Sequence, residues 1–72
     1  MKTPREQFAA NLRQHRTRLG LTQEALADAC DLHRTEISLL ERRKRSPRLE
    51  TIVALASALG LASTCELLRG VG

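Results

Sequence analysis

Five basic side chains, Arg42, Arg43, Lys44, Arg45 and Arg48, fall within a stretch of seven residues that contains no acid. Guanidinium and ammonium groups at that density suit a polyanion. Just upstream, Arg34, Thr35, Ser38 and Arg42 occupy one face of a helical segment with hydrogen-bonding groups, while Leu32, Ile37 and Leu40 point the other way. A basic run alone is commonly no more than a solvated loop. Placed directly after a helix with one apolar and one free polar face, it points to a nucleic acid.

Other chemistry finds little support. His15, His33, Cys30 and Cys65 are scattered, with no metal-ligand spacing and no third partner, so no catalysis, metal or cofactor is expected. Cys30 and Cys65 each stand four residues from an apolar neighbour, Leu26 and Leu61, and read as small core residues rather than a disulfide framework. Binding of single strands needs aromatic stacking platforms, and the one aromatic residue, Phe8, lies on a helix stripe.

The elements that position these groups follow from length and pattern. At 72 residues the chain reads as one domain near the lower limit for a single core, so self-association would help it. Hydrophobic residues make up 42% of the chain, mostly Leu and Ala, which predicts an all-α fold. Twelve basic residues against eight acidic give a net charge of +4. No apolar run approaches the roughly 18 residues of a membrane span, and Lys2 is not followed by a signal-peptide core. A soluble, cytoplasmic chain without membrane contact is expected.

Thr3-Pro4-Arg5-Glu6 is a capping box with proline at the first helical position, predicting a first helix that runs to about Leu19 and ends at Gly20, with Phe8, Leu12 and Leu19 as its buried stripe. Thr22 is the expected N-cap of a second helix carrying Leu26, Ala27 and Cys30. After the short break Asp31-Leu32-His33, a third helix should start at His33 or Arg34 and end near Arg42. Ser46-Pro47 interrupts the chain. Leu49, Ile52, Val53, Leu55, Ala56 and Leu59 then predict a fourth helix stopped by Gly60, and a second capping box, Ser63-Thr64-Cys65-Glu66, predicts a short fifth ending at Gly70.

At Gln23, Ala27, Leu32, Ile37, Leu40 and Glu41 the chain resembles the lambda-repressor-like helix-turn-helix family of DNA-binding regulators, with the helix-turn-helix over about residues 22–42. Residues Leu19 to Glu24 look like that family's approach to its second helix, and Glu41, Pro47 and Ala56-Ser57-Ala58-Leu59-Gly60 look like its later landmarks. The resemblance covers nearly all of residues 1–72, read as a single domain and a compact five-helix bundle. Leu32-His33-Arg34-Thr35 followed by Ile37-Ser38 is similar to the small controller proteins of restriction-modification systems. Asp31 and Arg43 stand where the family commonly has glycine. Asp tolerates positive φ, so the turn should survive, whereas Arg43 implies either a longer third helix or another path for the loop.

The resemblance implies a transcriptional regulator, a repressor being one form, that binds double-stranded DNA as a homodimer on a palindromic operator, with no evident small-molecule effector. Its recognition helix, about residues 34–42, would enter the major groove, with Arg34, Thr35, Ser38 and Leu39 facing bases. Leu39 stands equally for a core or dimer position. Gln23, His33, Arg42, Lys44, Arg45 and Arg13 are the expected phosphate contacts. Glu36 reads as a capping partner of His33 or a surface pair, with a cytosine amine as the other acceptor role. Arg16 and Glu41 are implied as an ion pair joining the first helix to the third. Leu67, Leu68 and Val71, with part of the fourth helix, are the expected dimer surface. The competing reading is an antitoxin-like or other protein-interaction module on the same fold.

Overall fold

Side-chain caps mark two of the helix starts, and backbone hydrogen bonds mark all four helix stops. The computed structural model describes residues 2–71 and contains four α-helices: α1 (Pro4–Arg18), α2 (Gln23–Cys30), α3 (Arg34–Glu41) and α4 (Leu49–Ala58). A single 3-10 turn, Thr64–Glu66, follows. Thr3 Oγ1 accepts from the Glu6 backbone N–H at 3.2 Å, and Glu6 Oε1 accepts from the Thr3 N–H at 2.9 Å, so both sides of the α1 capping box are made. The Thr3 backbone bond also holds the Glu6 carboxyl below its ordinary range. Thr22 Oγ1 caps α2 by accepting from Ala25 N at 3.0 Å.

All four helices end in the same way. The residue one past the last turn takes a left-handed conformation: Gly20 (φ 71), Asp31 (φ 58), Arg43 (φ 63) and Gly60 (φ 69). In each case the next amide reaches back five residues, as in Leu21 N to Arg16 O (3.1 Å), Leu32 N to Ala27 O (2.8 Å), Lys44 N to Leu39 O (2.9 Å) and Leu61 N to Ala56 O (2.9 Å). This double-bonded stop satisfies carbonyls that the helix end would otherwise orphan. Three of the four residues donating these amides are leucines folded toward the core, Leu21, Leu32 and Leu61. The fourth, after α3, is exposed Lys44.

The core is aliphatic apart from Phe8 and is shared by all four α-helices. Phe8 and Leu12 from α1, Leu26 and Ala27 from α2, Ile37 and Leu40 from α3, Ile52, Leu55, Ala56 and Leu59 from α4, and Leu67 close it together. Complete burial of such a leucine or isoleucine contributes about 1.5–3 kcal/mol. Ala27 on α2 is 2% exposed, a position with little room for a longer side chain. Asn11 is a buried polar residue of α1. Its Nδ2 donates to Leu67 O and Arg69 O, both at 2.8 Å, while its Oδ1 accepts from Gln7 Nε2 at 2.9 Å, tying the last segment to α1.

Several sequence expectations are corrected. The fifth helix is absent: Ser63 Oγ accepts from Cys65 N at 3.1 Å rather than from Glu66 N, so the second capping box does not form and the segment stays a 3-10 turn. Leu19 is 53% exposed because it lies at the cap, past the last residue that faces the core. Leu49 and Val53, at 74% and 53%, lie off the α4 stripe that Ile52, Leu55, Ala56 and Leu59 already fill. Cys65 is exposed on the 3-10 turn and Cys30 is half-buried, its Sγ donating to Ala54 O at 3.7 Å. Burial raises the Cys30 thiol above its ordinary range.

Candidate nucleic-acid interface

α3 packs against both α1 and α2 through Ile37 and Leu40, three residues apart on one face. That leaves its N-terminal end outward: His33, Arg34 and Thr35 are exposed, and Ser38 and Leu39, one turn on, are half-buried. Leu39 therefore belongs neither wholly to the core nor wholly to the surface. The break before α3 works because Asp31 accepts the left-handed conformation and Leu32 folds back onto the core, so two helices meet with only three residues between them.

One buried network fixes the far end of α3. Arg16 Nε donates to Glu41 Oε2 at 2.6 Å and Arg16 Nη2 to Glu41 Oε1 at 2.9 Å, with side-chain exposures of 12% and 5%. Arg16 Nη1 donates to Leu21 O at 2.8 Å, and Gln23 Nε2 donates to Glu41 Oε1 at 3.2 Å. The network thus joins α1, the turn after it, the start of α2 and the end of α3. The hydrogen bonds to Glu41 raise the Arg16 guanidinium above its ordinary range, outweighing the opposing effect of burial. Gln23, expected on a phosphate, spends one amide N–H here.

Beyond Glu41 the chain turns through Arg43 in the left-handed conformation, so the loop follows the path glycine would take, and α3 is not lengthened. Arg42, Arg43, Lys44 and Arg45 all emerge exposed. Arg13, from the outer side of α1, lines an open groove together with Glu41, Arg42, Arg43 and Lys44. The loop and α1 thereby share one groove beside the end of α3, a juxtaposition of residues about thirty positions apart that no local pattern revealed.

Of the two readings of Glu36, the surface pair is the one that forms, and one residue of the expected dimer surface is corrected. His33 is the N-cap of α3 but makes no side-chain cap bond, and Glu36 does not act as its capping partner. Glu36 Oε1 instead accepts from Arg45 Nη1 at 2.8 Å across an exposed surface, with exposures of 30% and 52%. Leu67 is fully buried in the core, so it is withdrawn from the expected dimer surface; Leu68 and Val71 are half-buried beside it. Among the described residues no three His, Cys, Asp or Glu side chains come together as a metal site.

Comparison with known proteins agrees with this fold. A sequence model of the family described as helix-turn-helix matches residues 12–67. Control protein C.SmaI of Serratia marcescens is 44% identical over 55 residues, covering 76% of this chain and 66% of that protein. A hypothetical transcription factor of Neisseria meningitidis is 41% identical over 56 residues, covering 78% of this chain and 53% of that one. The chain thus spans from about half to just under two thirds of the length of these curated relatives. Among solved structures, the restriction-modification controller protein C.AhdI from Aeromonas hydrophila superposes with a TM-score of 0.84 at 38% identity, over 88% of this chain and 94% of that one.

Proposed function

This chain belongs to the helix-turn-helix family, and from that premise we propose that it is a transcriptional regulator that reads double-stranded DNA with α3 in the major groove. The observation that carries the reading is the outward N-terminal end of α3, where Arg34 and Thr35 stand exposed over a face anchored by Ile37 and Leu40. B-DNA's major groove admits one helix, and the leading residues of that helix meet the base edges. Arg34 is the principal reader, pairing bidentately with guanine O6 and N7, and Thr35, Ser38 and Leu39 complete the reading surface. Arg42, Lys44, Arg13 and His33, with the remaining amide N–H of Gln23, set the register on phosphates.

One helix of this length reads only a few base pairs, so two copies on a palindromic operator complete the site. Leu49 and Val53, four apart on α4 and both exposed, replace Leu67 in the proposed dimer surface beside Leu68 and Val71. The controller relatives favour a controller role over an antitoxin-like one. No described helix is long and apolar enough to cross a membrane, and the cytoplasm is the compartment this role requires. Described residues 2–71 close around one core and are read as a single domain.

The test is selection of bound sites from a random duplex library, followed by Arg34→Ala on the selected site and on random duplex. A palindrome with half-sites about 34–36 Å apart is expected, with Arg34→Ala losing about 1–3 kcal/mol on the selected site and much less on random sequence. Equal losses on both would remove Arg34 from base reading, and no enrichment would sink sequence-specific binding.

A further inference from the structure

We infer that Glu36 is a built-in competitor for Arg45, occupying in the free protein a guanidinium that its place in the basic loop would otherwise give to a phosphate. The inference rests on the DNA-binding reading above. Of the four basic residues at 42–45, Arg45 alone has a carboxylate within ion-pair distance among the described residues. That partner lies in the first turn of α3, next to Thr35, where the helix N-terminus favours an anion whether or not Arg45 is present. The carboxylate makes no bond to the N-cap, and its one side-chain hydrogen bond comes from Arg45.

Carboxylate and phosphate are both charge-assisted acceptors for the same planar donor. With exposures of 52% and 30% the pair lies in high dielectric and opens at small cost. A duplex that takes Arg45 must displace Glu36 and leave that carboxylate bare beside phosphates. A duplex that leaves the pair closed gains nothing from Arg45. Either way the guanidinium contributes less than Arg42 or Lys44, and Glu36 lowers overall electrostatic affinity without choosing between sequences.

A double-mutant cycle tests this on the full chain, with thermal melts confirming that each variant folds. Glu36→Gln is expected to tighten binding to a library-selected duplex and to random duplex alike, by about two- to fivefold, and to steepen the log–log salt dependence by up to about 0.9. Arg45→Ala should cost less in the wild-type background than in Glu36→Gln, where it should take back most of both gains. Glu50→Gln, the same charge change at an exposed carboxylate at the start of α4, should leave the cost of Arg45→Ala unaltered. Equal Arg45→Ala losses in the wild-type and Glu36→Gln backgrounds would overturn the inference alone. So would a Glu36→Gln effect confined to the selected duplex, which would make Glu36 a base reader. Wild-type protein without salt-dependent duplex binding would overturn the DNA-binding reading and this inference with it.

Discussion

The two ends of α3 each hold a glutamate bonded to an arginine from another part of the chain, and the two pairs differ in nearly every physical respect. At the C-terminal end Glu41 is 5% exposed, takes two guanidinium nitrogens of Arg16 and shares one oxygen with Gln23. At the N-terminal end Glu36 is 30% exposed and takes a single bond from Arg45. Low dielectric and bidentate geometry make the first pair a fixed joint between α1 and α3. Water and a long loop side chain leave the second open to exchange. The helix is therefore pinned at one end and electrically adjustable at the other, and the adjustable end is the one that presents Arg34 and Thr35.

Truncating each acid breaks or sharpens that contrast. Glu41→Ala leaves a largely buried guanidinium without its counterion and is expected to cost about 3 kcal/mol, lowering the thermal midpoint by more than about 10 °C in a domain of this size. Glu36→Ala should cost less than about 1 kcal/mol. Thermal melts of the two variants side by side decide it. Similar losses would mean that the two pairs are energetically alike and that burial does not set their roles.

The parts legible in the sequence were those decided by neighbours along the chain. Thr3 with Glu6 and Thr22 announce helix starts, Gly20 and Gly60 announce stops, and the phase change across Asp31-Leu32-His33 marks the helix-turn-helix, because each depends on contacts within about five residues. What stayed hidden depends on which face a distant element covers. Leu67 and Val53 are both apolar residues on amphipathic segments, yet one is completely buried and the other 53% exposed, since Asn11 draws the last segment onto α1 while no described residue covers the outer side of α4. The partner of Glu36 was equally unreadable: Arg45 reaches it only because the loop turns through a left-handed Arg43. The joint between Arg16 and Glu41, 25 residues apart, came from family resemblance and not from spacing.

A second pair of regions tests the same idea with a smaller effect. The exits of α2 and α3 have one backbone geometry, left-handed at Asp31 and at Arg43, but Leu32 follows the first into the core and Lys44 follows the second into solvent. The stop after α2 is thus reinforced by packing. The stop after α3 rests on backbone bonds alone, and it carries a residue with an ordinary Cβ where glycine would be free of strain. Relief of that strain, less the greater unfolded-state entropy of glycine, should make Arg43→Gly more stable by about 0.5–1 kcal/mol. Asp31→Gly should gain less, because a short polar side chain already tolerates the conformation. If calorimetry showed no gain for Arg43→Gly, the Arg43 side chain would have to supply compensating contacts along the groove it shares with Arg13 and Lys44. That would make it part of the fixed scaffold rather than of the exposed basic surface.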